Sequence, residues 1–278
     1  MKVGVALPHY GRDVSLARVT EIAVECERLG FDSVWISDHL VFDLAKYGGT
    51  PEPIGSLEAL STLSVLAEAT HRVRLGTLVL CNEFRHPALV AKQAAVIDRA
   101  SGGRLELGIG AGWYEPEFAM FGFALPRPAV RLARLEEAIQ VIRGLLSGRP
   151  FTFEGRHYRV TDAVALPAPE GPVPIWVGGK GDRTIGIAAR LADGWNGAWF
   201  QEVDAYMERA SKLGDADVLR SVAQYARGSA QEMTDRLAPF AELGVDHAIV
   251  SFSSVPFGLD DPDDIARFAQ DVLPHVRG

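Results

Sequence analysis

Ser37-Asp38-His39 follows a short apolar run, and a histidine at a strand end can donate a proton or a hydrogen bond near neutral pH. The carboxylate beside it can influence that protonation. The plainer alternative is that Ser37 or Asp38 caps a loop while His39 merely packs, and position alone does not separate the two. A second cluster, Gly178-Gly179-Lys180-Gly181-Asp182-Arg183, sits between a strand and a helix. Glycines there let backbone amides crowd round a phosphate, and a helix N-terminus adds positive potential. The competing reading is an ordinary turn with Asp182 as N-cap. A third, Gly108-x-Gly110-x-Gly112-Trp113, matches a dinucleotide fingerprint by letters only, because no helix is expected close behind it. Its glycines either let a flat ligand approach the backbone or serve tight packing.

Two other chemistries fit less well. A metal-dependent hydrolase wants a His-x-His pair or an equivalent ligand set, whereas strand one ends in His9-Tyr10-Gly11 and His39 and His86 stand alone. A glycosidase wants two flanking carboxylates; Glu115 and Glu117 have no partner in Gln224-Tyr225-Ala226-Arg227. Cys26 and Cys81 show neither CxxC nor Cys/His spacing, which argues against a disulfide framework or structural zinc. No metal is expected.

The elements that must position these residues alternate. Strands are expected over 3–7, 33–36, 73–80, 104–109, 175–177, 194–198, 219–226 and 248–252. Helical stripes follow over 15–29, 56–69, 87–100, 131–146, 184–192, 203–213, 230–243 and 265–273. Eight strand–helix units describe an α/β chain folded as a (β/α)8 TIM barrel, a single domain over 1–278. The site of such a barrel lies at the C-terminal strand ends, where all three clusters fall. Two stretches break the rhythm. Residues 41–55 are rich in Gly and Pro at the barrel mouth, and residues 148–174 read as an insertion after helix 4 containing a hairpin.

With 47% apolar and 23% charged residues the chain has ordinary globular composition. A net charge of −8 argues against a broad nucleic-acid or anionic-membrane footprint while leaving room for a local phosphate pocket. The N-terminal apolar run stops at Pro8, too short for a signal peptide, and no stretch reaches membrane-span length. A cytoplasmic protein is expected.

Taken together, Ser37-Asp38-His39, Leu75-Gly-Thr77, Arg85-His86-Pro87, Ala91-Lys-Gln93-Ala94 and Asp98-Arg-Ala-Ser-Gly-Gly-Arg104 resemble the bacterial luciferase-like superfamily. So do Gly108-Ile-Gly110-Ala-Gly112-Trp113, Pro174-Ile-Trp-Val-Gly178-Gly179, Asp193-Gly194-Trp195 and Leu243-Gly-Val245-Asp246. The look is nearest to its coenzyme F420 (deazaflavin) oxidoreductases. That resemblance implies hydride transfer between the reduced deazaflavin and a small organic substrate, with the barrel commonly paired as a homodimer. An FMN-dependent monooxygenase is the alternative, and a non-catalytic flavin-binding barrel the second. The resemblance also places Asp38 and His39 near the reactive ring, His39 as proton donor or orienting group. Leu78 and Val79 fall where relatives carry a non-prolyl cis peptide behind the ring. Gly110, Gly112 and Trp113 would flank ring and side chain, Gly178 and Gly179 would bind the phosphate, and Trp195 and Asn196 would lie nearby. Two departures stand out. Strand three ends in Cys81-Asn82-Glu83-Phe84, where relatives often carry aliphatic residues and a proline. The connection Ala226-Arg227-Gly228-Ser229 is short where oxygen-using relatives often carry a long lid, which favours direct hydride transfer.

Overall fold

Strand β1 (Lys2–Ala6) runs parallel between β2 (Ser33–Ile36) and β8 (His247–Ser251). From β2 the sheet continues in parallel through β3 (Arg74–Thr77), β4 (Leu105–Gly110) and β5 (Ile175–Gly178). It then passes through β6 (Gly194–Ala198) and β7 (Leu219–Tyr225) back to β8. In the computed structural model, which describes residues 1–200 and 202–277, these strands close into a TIM barrel. The surrounding helices are α1 (Leu16–Arg28), α2 (Ala59–Ala69), α3 (Pro87–Ser101) and α4 (Pro128–Leu146). They continue with α5 (Asp182–Leu191), α6 (Val203–Ala210), α7 (Ala230–Glu242) and α8 (Asp263–Asp271).

Local chemistry explains the boundaries. Ser15 accepts the Arg18 N–H to start α1, and Gly30, at φ +89°, turns the chain away at its end. His86 accepts from Ala88 and Pro87 opens α3. Ser229 and Glu232 form a reciprocal capping box at α7.

Three readings need correction. The third strand does not run unbroken over 73–80: a cis peptide between Leu78 and Val79 interrupts it, and Leu80–Cys81 then pairs with Ile109 and Gly110. A short helix, Glu115–Phe121, does follow the glycines of β4 closely. Glu115 and Glu117 in its first turn and Pro116 beside them suit a helix N-terminus. Asp182 is the first residue of α5 and not its cap, which is Gly181; its carboxylate pairs with Lys212 and Arg209 instead. Within 41–55, Val41–Phe42 pairs antiparallel with Ile54–Gly55 to make a flap over the mouth. The 148–174 stretch carries the antiparallel pair Phe151–Glu154 and Arg159–Ala163.

The lower barrel is filled by indoles set against glycines. A Cβ on Gly76 would overlap the Trp35 ring, and one on Gly194 would overlap Trp176; the two indoles meet edge to face at 6.2 Å. Aspartates beside the N-terminal ends of strands join neighbours. Asp32 accepts the Val3 N–H at 2.7 Å, Asp193 that of Ile175 at 2.8 Å and Asp246 that of Arg220 at 2.7 Å. Arg104 ties α2 and β3 together by donating to Ala67, Thr70 and Val73 carbonyls. Among the described residues no helix is long and apolar enough to cross a membrane.

Trp35 Nε1 donates to Ser33 Oγ at 2.7 Å, and Ser33 Oγ is in turn hydrogen-bonded to His247 Nε2 at 2.8 Å. Burial lowers the His247 pKa to about 4. The unfolded chain binds that proton near pH 6.5, so the unfolded state takes up more protons between the two values and stability falls as pH drops through this window. The loss across this window is about 3 kcal/mol. Thermal unfolding followed from pH 7 to pH 4 should show this decline, and His247→Asn should make it shallower, the remainder coming from the equally buried His9; an unchanged slope would contradict it.

Candidate active site

The C-terminal end of β2 delivers Ser37, Asp38 and His39 to the mouth, and each engages a different neighbour. His39 stacks on Phe42 at 4.4 Å and meets Trp113 and Tyr114 edge-on at 6.0 Å. Its Nδ1–H donates to Glu117 Oε1 at 2.8 Å, while the other carboxylate oxygen accepts the Leu40 N–H at 3.0 Å. Because a carboxylate only accepts, Nδ1 carries the proton and Nε2 is the nitrogen available for chemistry. Glu117 comes from the short helix after β4, and its side chain is buried. His39 and Glu117 both line the central chamber.

Asp38 is differently employed. Its carboxylate accepts two bonds from the Arg85 guanidinium, each 2.7 Å, and one from the Cys81 N–H at 2.8 Å. Arg85 also reaches Glu58 at the start of α2. These contacts make Asp38 a clamp between β2 and the segment after β3, with its oxygens turned to those partners. Ser37 closes the set: its Oγ contacts both His9 Nε2, at 3.0 Å, and the Tyr10 hydroxyl.

The chamber has a volume of about 190 Å³ and lies on the barrel axis. Tyr10, Phe42, Tyr47, Trp199 and Phe257 supply aromatic walls, and Leu78 and Val79 form part of its floor. Gly110, Gly112, Trp113, Gly178, Gly179 and Asn196 also line it, so the structure brings together most of the residues singled out in the sequence. The reason for the glycines is packing against Val79. A Cβ would come within 2.8 Å of its side chain at Gly110 and within 2.7 Å at Gly178. At Gly179 the φ of +143° and the nearby Thr184 side chain both favour glycine.

Trp195 does not line the chamber. Strand alternation turns Asn196 inward and Trp195 outward into the helix layer, where it stacks on Tyr206 at 5.3 Å and donates to the Gly179 carbonyl at 2.8 Å. Asn196 is 2% exposed; its Nδ2 donates to Ser221, and its Oδ1 has no partner.

A second cavity of about 460 Å³ shares the wall formed by Val79, Gly110, Trp113 and Gly178 and extends the chamber outward. Lys46, Arg131 and Lys180 line it, and the described lining residues include no carboxylate. Lys46 lies 4.2 Å above the Trp113 ring. Partial burial, and then repulsion by Lys46, hold the Lys180 ammonium below the ordinary lysine range. Arg131 Nε is buried without a partner. An anionic group entering here would relieve all three. Among the described residues no His, Cys, Asp and Glu cluster is arranged to hold a metal ion.

Glu117, Arg85, Tyr10, Lys46 and Arg131 are the site groups to which sequence reasoning assigned no role. Arg85 lay inside a recognised motif, and Glu117 lay four residues beyond Trp113, but their partners are distant in the chain. The Asp38–Arg85 pair is buried, so Asp38→Asn, which removes the buried charge and leaves Arg85 only the more exposed Glu58 as a partner, should destabilise the fold by about 3 kcal/mol. Chemical denaturation would detect this; a stable variant with altered turnover alone would instead assign Asp38 to chemistry.

Comparison with known proteins places these features in a family. The luciferase-like monooxygenase family matches residues 1–213. An F420-dependent glucose-6-phosphate dehydrogenase of Amycolatopsis mediterranei is 37% identical over 178 residues, 64% of this chain and 52% of that protein. The protein of the same name from Beutenbergia cavernae is 33% identical over 270 residues, covering 91% of this chain and 75% of its own. This chain thus spans about half the length of the Amycolatopsis mediterranei relative and of a namesake from Nakamurella multipartita. A solved F420-dependent secondary alcohol dehydrogenase, in complex with an F420-acetone adduct, superposes with TM-score 0.82 at 21% identity over 100% of this chain and 99% of its own. The same architecture thus persists at low identity, and the match over most of the sequence is to one family: this chain is a member of the luciferase-like monooxygenase family.

Proposed function

We propose that the chain is an oxidoreductase that moves a hydride between coenzyme F420 and a small organic substrate. The observation that carries this reading is the shape and charge of the continuous cleft, an aromatic chamber on the barrel axis opening into the Lys46, Arg131 and Lys180 cluster. A planar ring with an anionic side chain suits both ends. The residues fit such a group on two further counts: the partnerless, buried Asn196 Oδ1 is an acceptor awaiting a donor, and the partnerless Arg131 Nε is a donor awaiting an acceptor. The relatives whose names include F420 support the deazaflavin over FMN. So does the short connection at residues 226–229 between β7 and α7, which leaves little chain for a lid.

When bound, a deazaflavin supplies a two-electron hydride carrier. The protein's own contribution is to hold and to move a proton. In this reading Leu78, Val79, Gly110, Gly112, Trp113 and Asn196 contact the ring, and Gly178, Gly179 and Lys180 face its anionic side chain. His39, braced by Glu117, takes or gives a proton at Nε2. The aromatic walls exclude water from that nitrogen.

Titration followed by deazaflavin fluorescence should give tighter binding for F420 than for FMN, and Lys180→Ala should weaken F420 binding about tenfold. FMN that co-purifies and is not displaced by F420 would overturn the cofactor assignment. His39→Ala should slow single-turnover oxidation of the reduced cofactor by its acceptor about 10²–10⁴-fold with little change in cofactor affinity. A near-normal rate in the folded variant would remove the proton role.

A further inference from the structure

Tyr10 lies on the chamber wall against Phe42 and Phe257, at 6.1 and 6.0 Å between ring centroids, and the proton-transfer role does not use it. Its hydroxyl ends a buried chain whose direction follows from one fixed point. The Leu7 carbonyl can only accept, so the His9 Nδ1 atom 2.8 Å from it carries a proton. His9 is fully enclosed, and burial, opposed in part by the bond to Leu7, lowers its pKa to about 4, so the ring is neutral and Nε2 is an acceptor. Ser37 must therefore donate its single proton to His9 Nε2 at 3.0 Å. With that proton committed, Ser37 Oγ can only accept from Tyr10. The Tyr10 proton points back into the wall, and only oxygen lone pairs remain for the chamber.

Neutral His39 has the same polarity. Glu117 holds its Nδ1–H, leaving Nε2 as an acceptor. A ligand that meets both must bring two donors of its own. The His39 and Tyr10 rings both pack against Phe42, at 4.4 and 6.1 Å between centroids. We propose that Tyr10 is a substrate-positioning residue whose hydroxyl is locked as a hydrogen-bond acceptor, so that the chamber selects a substrate carrying a second hydroxyl beside the one His39 engages. The class of compound is a neutral diol or polyol. A substrate with an ether or carbonyl oxygen at the second position would set lone pair against lone pair, a mismatch that buried polar sites reject strongly. This rests on the oxidoreductase reading for its consequence in turnover, while the polarity of Tyr10 itself does not depend on the cofactor.

The test compares 1,2-cyclohexanediol with 2-methoxycyclohexanol, which keeps both oxygens but replaces one donor by an ether. Binding is read from tryptophan fluorescence, since Trp113 and Trp199 line the chamber, in the chain alone and in the chain loaded with F420. The diol should bind about tenfold more tightly than its methyl ether. Tyr10→Phe should abolish that preference. His9→Phe frees the Ser37 proton to turn toward Tyr10, so that Tyr10 can donate into the chamber; the methoxy compound should then gain affinity. A purely steric effect of the methyl group would survive in His9→Phe, and a purely structural role of Tyr10 would lower thermal stability without moving the ratio. Equal affinities, no binding of either probe, or an undiminished preference in Tyr10→Phe would overturn the proposal. Failure of F420 to bind, with the diol preference intact, would overturn the cofactor reading alone.

Discussion

The buried Glu117 carboxylate joins two parts of the mouth that the barrel strands alone leave separate. One oxygen holds His39 and the other holds the Leu40 amide, so the end of β2 and the short helix after β4 are fixed together. Removing this bond would free the imidazole to rotate between Phe42 and Trp113, and either nitrogen could then face the chamber. With it, the tautomer is defined and the available nitrogen is Nε2. The second anchor on the same loop is the Asp38–Arg85 pair, which fixes the backbone from which His39 projects. Two adjacent residues thus divide the work, one holding the loop and the other presenting a proton site.

Packing inside the barrel imposes a second constraint. Indoles fill the lower half, and glycines opposite them are required by volume. Further up, the Val79 side chain needs glycine at 110 and 178, and the Thr77 carbonyl leaves no room for a Cβ at 108. These glycines look like ligand contacts in the sequence because phosphate cradles and flavin sites favour the same residue. In the structure their first function is to admit a valine side chain, and the chamber begins where that side chain ends. The cations at the outer end are independent of this packing and lie on the 41–55 flap, α4 and the turn before α5.

Alternating periodicity exposed the barrel order because each strand and helix is short, amphipathic and separated by turn residues. His39, the glycines and Asn196 were legible from their positions at strand ends. Trp195 was not, since Gly194, Asn196 and Ala198 are small or polar and offer no apolar contrast by which to assign the inward face of β6. The partners of the site were hidden for another reason. Glu117 is 78 residues from His39, and Arg85 is 47 from Asp38, so only closure of the barrel brings them together. The direction of the Tyr10–Ser37–His9 chain likewise emerges only from the Leu7 carbonyl at its far end.

The most direct test of the site's organisation is the nitrogen spectrum of His39 in protein labelled with nitrogen-15 in its histidines, recorded above the pH at which the ring is neutral and assigned with His39→Gln. With Glu117 in place, Nδ1 should appear as the protonated nitrogen and Nε2 as the bare one, and Glu117→Ala should produce a mixture of the two forms. A ring protonated at Nε2 in the wild-type chain, or a spectrum indifferent to Glu117, would contradict the account.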